Sequence, residues 1–221
     1  MEHQVKILGA HYITHDVKQF TVERPAGYIF NPGQATDISL TEEGWRDQLR
    51  PFTFTCLPDA PQLEFTIKIY RERDGVTKRL GSLNAGASII LHDVFGAIHY
   101  QGPGVFIAGG AGITPFIAIL RHLHAKHKLG ENKLIFSNKT EDDIILRDEF
   151  ETMLKDCFIP ILTRGNTIGF RDKRIDRDFL VETISDFSQF FYVCGPDDFV
   201  TEINKQLLEL GANAQSLVFE K

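Results

Sequence analysis

The sequence is poor in residues that could cross-link it or hold a metal. It has three cysteines, at positions 56, 157 and 194. These are too few and too scattered for a disulfide framework, a four-cysteine zinc site or a four-cysteine iron-sulfur cluster. We therefore expect a reducing compartment and no metal site.

The sequence also has no long uninterrupted apolar run and no excess of basic residues. Its longest apolar stretch, 104–120, is slightly short for a bilayer and contains four glycines and Pro115. Lys and Arg number 24 against 30 Asp and Glu, a balance that argues against a nucleic-acid-binding protein. The N-terminus lacks the basic start and apolar core of a secretion signal. We expect a cytoplasmic monomer with no membrane span and no nucleic-acid partner.

The periodicity of the hydrophobic residues, which make up 43% of the 221, changes near residue 101. Residues 1–101 contain short runs of β-branched and aromatic residues separated by turn residues, which predict a six-stranded antiparallel barrel. Residues 102–221 alternate buried strands with helices, which predicts a five-stranded parallel, doubly wound sheet. The expected fold class is all-β plus α/β, with one domain over 1–101 and another over 102–221. Helices are predicted over 115–129, 142–156, 178–185 and 197–210.

A glycine-rich turn follows the first strand of the predicted parallel sheet. The buried run Val105–Ala108 leads into Gly-Gly-Ala-Gly-Ile-Thr-Pro at 109–115, where Thr114 can cap a helix and Pro115 can open it. Such a turn lets backbone N–H groups face a pyrophosphate, since no Cβ stands in the way. A tight turn that needs glycine only for packing is the alternative. The position of the turn in the sheet favours a nucleotide site.

A second pattern lies in the first half, at Arg50-Pro51-Phe52-Thr53. A guanidinium, an aromatic ring and a hydroxyl in one short strand could serve a planar, phosphorylated ligand, with charge on phosphate and ring on ring. An ordinary amphipathic strand is the alternative for this segment taken alone.

These two patterns and four others, in this order, resemble the ferredoxin-NADP(+) reductase family. The resemblance is greatest to its short bacterial flavodoxin and ferredoxin reductases and to the reductase components of oxygenases. It covers nearly the whole chain. The motifs are Phe30-Asn31-Pro32-Gly33-Gln34, Arg50-Pro51-Phe52-Thr53, Ile67-Lys68-Ile69-Tyr70, Gly75-Val76-Thr77 before Leu83-Asn84-Ala85-Gly86, Gly109-Gly110-Ala111-Gly112-Ile113-Thr114-Pro115 and Cys194-Gly195-Pro196-Asp197-Asp198.

The resemblance implies FAD in the barrel domain and NADP or NAD as cosubstrate on the parallel sheet, with hydride moving between nicotinamide C4 and flavin N5. It assigns catalytic positions to Thr53, near flavin N5, and Cys194, near the nicotinamide. The implied FAD-binding residues are Arg50, Pro51, Phe52, Thr53, Lys68, Ile69, Tyr70, Gly75, Val76 and Thr77. The implied nucleotide-binding residues are Gly110, Gly112, Thr114, Pro115, Thr163, Arg164, Cys194, Gly195 and Pro196.

Two departures from the family pattern affect the FAD site, and one local similarity bears on the nucleotide. Phe52 stands where the family often has tyrosine, and the glycine of the phosphate motif is displaced to Gly75, two residues before Thr77. Thr163-Arg164 resembles the Ser-Arg pair that binds the 2′-phosphate of NADP, and a basic excess follows over 164–177. This similarity favours NADPH, with a solvated loop as the alternative.

The expected function is that of a flavoprotein oxidoreductase that passes electrons from NAD(P)H through FAD to a separate carrier such as ferredoxin, flavodoxin or an oxygenase component. The three cysteines leave no ligands for an attached iron-sulfur domain, so the acceptor should be another molecule. A basic cluster in the barrel half could face it, or could serve FAD phosphate or solvent: Lys68, Arg71, Arg73, Lys78 and Arg79. Two alternatives stay open: an NAD(P)H:flavin reductase that uses free flavin, and a non-catalytic electron-transfer or regulatory subunit of a larger complex.

Overall fold

The structure, a computed structural model, describes residues 1–96, 98–164, 171–172 and 174–219. Its described residues form two compact units. The first contains Met1–His99 and also Thr114–His122, and the second contains Tyr100–Ile113 and the residues from Leu123 onward. The boundary predicted at residue 101 lies two residues beyond His99.

The first unit is a six-stranded antiparallel sheet that closes on itself. Its strands follow the order β4-β3-β6-β1-β2-β5, and a bridge between Phe54 and Phe65 joins the two edges. The interior is built from alternate residues of the strands, such as Val5 and Ile7, and from the stacked rings of Phe30 and Phe54. The strands are β1 (His3–Tyr12), β2 (Val17–Glu23), β3 (Ala35–Leu40), β4 (Arg50–Thr53), β5 (Gln62–Lys68) and β6 (Ser88–Phe95), and the helix α1 (Val76–Ser82) lies between β5 and β6.

The second unit is built on a parallel sheet with the strand order β10-β9-β8-β7-β11-β12. Its central strands β7 and β8 are almost fully buried, as expected when both faces of a parallel sheet are covered by helices. The strands are β7 (Gly104–Gly109), β8 (Lys133–Asn138), β9 (Phe158–Leu162), β10 (Arg171–Asp172), β11 (Phe190–Cys194) and β12 (Leu217–Phe219). The helices that follow β7 are α2 (Thr114–Ala125), α3 (Arg147–Leu154), α4 (Arg177–Thr183) and α5 (Asp197–Glu209).

The predicted fold class is confirmed: an antiparallel barrel precedes a parallel, doubly wound sheet. All five predicted parallel strands form, and the two-residue strand β10 adds a sixth at the edge. No helix in the described part of the chain is long and apolar enough to cross a membrane.

Two predicted helices are shorter than the sequence indicates. The helix α2 ends at Ala125 instead of 129, because His127 has the left-handed backbone conformation, with φ at 53°. The helix predicted over 142–156 is interrupted at Leu146, which has φ at 53°, so that a 3₁₀ turn over Glu141–Asp143 precedes α3. Thr140 and Asp143 form a capping box at the start of this turn, where the Thr140 N–H donates to Asp143 Oδ2 at 2.8 Å.

Candidate functional site

Two turns of the second unit lie side by side at its sheet. The glycine turn follows β7, and the turn Cys194-Gly195-Pro196 follows β11, the strand that pairs with β7. The strand β8 pairs with the other side of β7, so the strand order reverses at β7. In open α/β sheets the crevice beyond the carboxyl ends of the strands at such a point is where nucleotides bind.

The two turns are in direct backbone contact, and Gly112 makes that contact possible. A Cβ atom placed on Gly112 would lie 2.5 Å from the carbonyl carbon of Cys194 and from the nitrogen of Gly195. Phe199 packs beneath the same point, since Cβ atoms on Gly109 and Gly195 would lie 3.2 and 2.7 Å from its Cδ1. The sequence therefore uses glycine here to let two backbones approach each other.

The glycine turn presents its backbone to open space. Gly110 has φ at 53°, and no described atom lies within 4 Å of the position its Cβ would take. A 3₁₀ turn over Gly110–Ile113 then leads directly into α2 at Thr114, while Ile113 and Pro115 are buried. An open, Cβ-free turn at the start of a twelve-residue helix fits an anionic pyrophosphate. Pro115 shapes the turn from inside the core.

A cavity of about 600 Å³ lies beyond the carboxyl ends of β8 and β9. Thr163 is exposed, its N–H donates to Asn138 O at 2.9 Å, and Arg164 N–H donates to Lys139 O at 2.8 Å. Thr163 lines the cavity, and Arg164 is not among its lining residues. The lining includes Ser137, Thr163, Arg174, Asp176, Asp198 and Glu202, with Gln206 at its side. The rest of the predicted basic loop, 165–170 and 173, lies outside the described residues, as do the side chains of 171 and 172.

The Arg50–Thr53 segment forms β4, the edge strand that pairs with β3. Arg50 and Pro51 are exposed, whereas Phe52 and Thr53 are partly buried. The Phe52 ring packs against the barrel core and keeps part of its surface open. The strand therefore offers a guanidinium, a ring and a hydroxyl, as the sequence indicates.

The end of β5 lies at the same end of the barrel as the start of β4. The Phe54–Phe65 bridge is antiparallel, so the residues before Phe54 and those after Phe65 lie on the same side of it. Arg50–Thr53 and Lys68–Tyr70 are thereby brought to one end.

Lys68, Ile69 and Tyr70 differ in what they can offer a ligand there. Lys68 Nζ is 2.8 Å from Asp16 Oδ2, and Tyr70 is 43% exposed beneath the guanidinium of Arg73. Ile69 is 4% exposed and its N–H donates to Asp16 O, so its side chain serves the barrel core.

The segment Gly75–Thr77 opens α1. Gly75 is the N-cap residue, with extended backbone and open space where a Cβ would stand, and no side chain caps the helix. Thr77 is partly buried, whereas Val76 is a core residue, so only its backbone can meet a ligand. An uncapped helix start with no acidic residue in its first turn fits the phosphates that the sequence assigns to it.

The carboxyl end of α1 is held by a buried lysine that sequence reasoning missed. Lys18 is 3% exposed, and its Nζ donates to Gly81 O at 3.1 Å, Leu83 O at 2.7 Å and Asn84 Oδ1 at 3.3 Å. Burial lowers the pKa of Lys18. A lysine in the middle of a strand pattern gives no sequence signal for this role, because its partners are more than 60 residues away.

Comparison with known proteins agrees with this geometry. Residues 106–205 match the family model for the oxidoreductase NAD-binding domain. The chain is 27% identical to NADH-cytochrome b5 reductase 1 of Ajellomyces capsulatus, over 93% of this chain and 73% of that protein. It is 25% identical to the xylene/toluene monooxygenase electron transfer component XylA of Pseudomonas putida, over 94% of this chain and 61% of that protein.

A solved structure shares the fold over the whole chain. It is a ferredoxin NADP+ reductase from Neisseria gonorrhoeae with bound FAD and NADP, with a TM-score of 0.85 and 23% identity, over 99% of this chain and 98% of that one. Fold and site thus define a nicotinamide-nucleotide oxidoreductase built from a barrel unit and an NAD-binding unit. The resemblance of the sequence to the ferredoxin-NADP(+) reductase family is confirmed by these matches.

Proposed function

We propose that this FAD-dependent NAD(P)H oxidoreductase passes electrons singly to a separate carrier protein. The observation that supports the proposal is the backbone contact between Gly112 and the Cys194-Gly195 turn, beside an open glycine turn, in a domain that matches the oxidoreductase NAD-binding family model. The barrel supports it with a ring, a cation and an open helix start at the positions that the family pattern assigns to FAD.

In the barrel, the chain's part is to bind and orient the flavin. Arg50 supplies a cation for the phosphates, Phe52 a partly open aromatic surface for the ring, and Thr53 a hydroxyl beside it. Tyr70 adds a second exposed ring, and Thr77, which is partly buried in α1, offers a hydroxyl to the pyrophosphate. FAD, when bound, supplies the chemistry of accepting hydride and releasing single electrons.

In the second unit, the chain's part is to hold the nicotinamide nucleotide in a fixed orientation. The backbone of the Gly110–Gly112 turn and the start of α2 at Thr114 receive the pyrophosphate, because they combine open N–H groups with the positive end of a helix dipole. Cys194 ends β11 at the crevice and is partly exposed. We assign it to the nicotinamide end, with Gly195 and Pro196 shaping its turn.

The charges of the cavity beyond β8 and β9 favour NADH, against the NADPH expected from Thr163-Arg164. Among the residues that the structure describes, three carboxylates line the cavity, from Asp176, Asp198 and Glu202, against one guanidinium, that of Arg174. A 2′-phosphate would be repelled by this excess, whereas carboxylates and hydroxyls can hydrogen-bond a free ribose hydroxyl. The name of the b5 reductase relative, which specifies NADH, is consistent with this assignment.

The acceptor is proposed to be an acidic one-electron carrier. Arg71, Arg73 and Lys78 are exposed, and the Arg73 guanidinium lies over the Tyr70 ring, while Lys68 and Arg79 pair with Asp16 and Glu42. The matched relatives are named for cytochrome b5 and for a monooxygenase. A cytochrome b5, a ferredoxin, a flavodoxin and an oxygenase component all fit this class.

Anaerobic titration of the purified protein with NADH and with NADPH, followed by flavin absorbance, tests the proposal. We expect bound, stoichiometric FAD that NADH bleaches at lower concentration than NADPH, and fast reduction of cytochrome b5 or a ferredoxin. Retention of no FAD, with turnover of added free flavin, would indicate the flavin reductase instead. Bleaching without reduction of any carrier or dye would support the regulatory subunit.

Two variants separate the nucleotide assignments. Asp198→Asn removes a carboxylate from the cavity and should lower the KM for NADPH several-fold with little change for NADH. Arg164→Ala should leave both KM values within about twofold if NADH is the substrate, whereas a rise for NADPH alone would restore the Thr163-Arg164 assignment. Arg46→Met, which removes an exposed ion pair to Glu2 in the barrel, is the matched control.

A further inference from the structure

The helix α2 is attached to the barrel as well as to the glycine turn. Its residues Thr114–His122 belong to the same compact unit as the barrel strands, although the chain enters them directly from the glycine turn of the second unit. Two contacts hold the helix in this unit. One is polar, through Arg121, and the other is apolar, through Ile119.

The polar contact is an ion pair with additional hydrogen bonds. Arg121 Nη1 donates to Glu64 Oε1 at 2.6 Å and to the Thr55 carbonyl at 2.8 Å. Glu64 Oε1 also accepts from the Thr55 hydroxyl at 2.7 Å, and that hydroxyl lies 3.3 Å from Thr66 Oγ1. The side chains of Arg121 and Glu64 are only 20% and 22% exposed, so the pair is little screened by solvent.

The apolar contact explains the glycine of the Phe30–Gln34 motif. Gly33 has φ at 94°, and a Cβ there would lie 3.1 Å from Ile119 Cδ1 and would clash with the Ile98 carbonyl oxygen. Gly33 thus lets the turn before β3 lie against α2. Two residues of the helix therefore contact the barrel. Ile119 packs against the Gly33 turn, and Arg121 forms a partly buried ion pair with Glu64.

We propose that Arg121 is a positioning residue that holds the nucleotide-binding start of α2 in place relative to the flavin strand. The inference rests on the proposed function of both sites. Thr55 lies two residues after Thr53, the last residue of the strand β4 to which the flavin contacts are assigned, and Arg121 lies seven residues after Thr114 on α2. At 1.5 Å per residue, that is about 10 Å along one rigid helix. A shift of α2 at Arg121 is therefore transmitted to the turn that receives the pyrophosphate.

The test uses Arg121→Met, which keeps the aliphatic stem and removes the guanidinium. We expect the Kd for NAD+, measured by calorimetry on the FAD-loaded protein, to rise about 10-fold, with FAD content unchanged. Amide hydrogen exchange in 114–122 should accelerate about 10-fold, while exchange in the remaining barrel core stays as in the wild type. Arg121→Lys retains a cation that can reach Glu64. It should therefore bring the Kd for NAD+ and the exchange rate in 114–122 part of the way back to the wild-type values.

A double variant separates positioning from stability. Arg121→Met leaves the partly buried Glu64 carboxylate without its cation, which lowers the Tm. Arg121→Met/Glu64→Gln removes that carboxylate as well, so we expect the Tm to recover while the Kd for NAD+ stays raised. Recovery of the Kd together with the Tm would show that the pair is only structural and would overturn the proposal. The double variant also keeps the test available if Arg121→Met does not fold.

Two controls calibrate the result. Val5→Ala lowers stability by loss of core packing away from α2, and Arg46→Met removes an exposed ion pair. Neither should change the Kd for NAD+ by more than twofold, and a rise in Val5→Ala equal to that in Arg121→Met would refute positioning. A wild-type protein that binds neither NAD+ nor NADP+ would refute the proposed function. Unchanged exchange in 114–122 of Arg121→Met would refute the attachment itself.

Discussion

Replacement of Gly112 by alanine tests the contact on which the nucleotide site depends. The added Cβ would lie 2.5 Å from the Cys194 carbonyl carbon and from the Gly195 nitrogen. Both atoms belong to backbone, so no side-chain rotation can relieve the overlap. One of the two turns must move by about an ångström to restore van der Waals contact.

The expected loss of folding stability follows from the overpacking of a tight site. Insertion of one methyl group into a packed interior destabilises a protein by about 1–3 kcal/mol. For a chain of this size each kcal/mol lowers the Tm by roughly 2–4 °C, so a fall of roughly 2–12 °C is expected. The effect on nucleotide binding should be larger than the effect on stability suggests, because the nucleotide site is proposed to lie at the displaced turns. We expect the KM for NADH to rise more than 10-fold.

The measurement compares Gly112→Ala with Gly9→Ala, a matched control in β1. A Cβ on Gly9 would meet only the Thr21 side chain, at 3.9 Å, which is an ordinary contact. Steady-state reduction of a dye acceptor gives the KM, flavin absorbance gives the FAD content, and thermal unfolding gives the Tm. Both variants should retain FAD, because neither glycine lies in the FAD site.

Wild-type KM and Tm in Gly112→Ala would refute the argument, because they would show that the two turns are not held together in the protein. A lowered Tm with an unchanged KM would show that the contact is structural and that the nucleotide binds elsewhere.

Three further predictions concern the cofactor sites and the core. Arg50→Met should lower FAD retention at least 10-fold after gel filtration, since the exposed guanidinium is assigned to the phosphates. Cys194→Ser should lower kcat with little change in the KM for NADH, as seen in steady-state assays, because it stands at the reacting end of the nucleotide. Tyr192→Phe should destabilise the protein by about 1–3 kcal/mol, since its buried hydroxyl accepts from Gln101 and Gly102 N–H and donates to Gly102 O. Burial raises the pKa of Tyr192, so the folded protein keeps that proton to higher pH than the unfolded chain. Stability is thus lost as pH rises above about 10, and Tyr192→Phe should flatten this part of the urea-measured profile.

Much of the fold follows from local patterns in the sequence. The change from short β-rich runs to alternating strands and helices predicts the barrel and the parallel sheet, because side-chain period and element length depend on neighbouring residues. The glycine turn and the Cys194 turn can also be predicted from local pattern, because each comes directly after a buried strand. Helix ends were predicted less well, because left-handed residues such as Leu146 and His127 carry no glycine-like signal.

The parts of the site that sequence reasoning missed depend on contacts between distant residues. Phe199 packs under two glycines, and Lys18 Nζ donates to carbonyls more than 60 residues away. The described charges around the cavity beyond β8 and β9 come from two separate segments, Arg174 with Asp176 and Asp198 with Glu202, so their excess of carboxylates is not visible in either segment alone. By contrast, Thr163-Arg164 is a local pair and therefore stands out, although Arg164 does not line that cavity.

The helix α2 shows why a change of period need not mark the edge of a compact unit. Strand-helix alternation assigns α2 to the second domain, yet Thr114–His122 group with the barrel. Its sequence does contain the reason, because Phe116–Leu120 are five successive apolar residues, all at most 1% exposed. A helix that packs on one face only would show polar residues within such a run. Burial on every face leaves few positions for a charge, and Arg121 takes one at the end of the run, where its guanidinium reaches Glu64. The same residue that ends the apolar run therefore fixes the nucleotide helix to the flavin barrel.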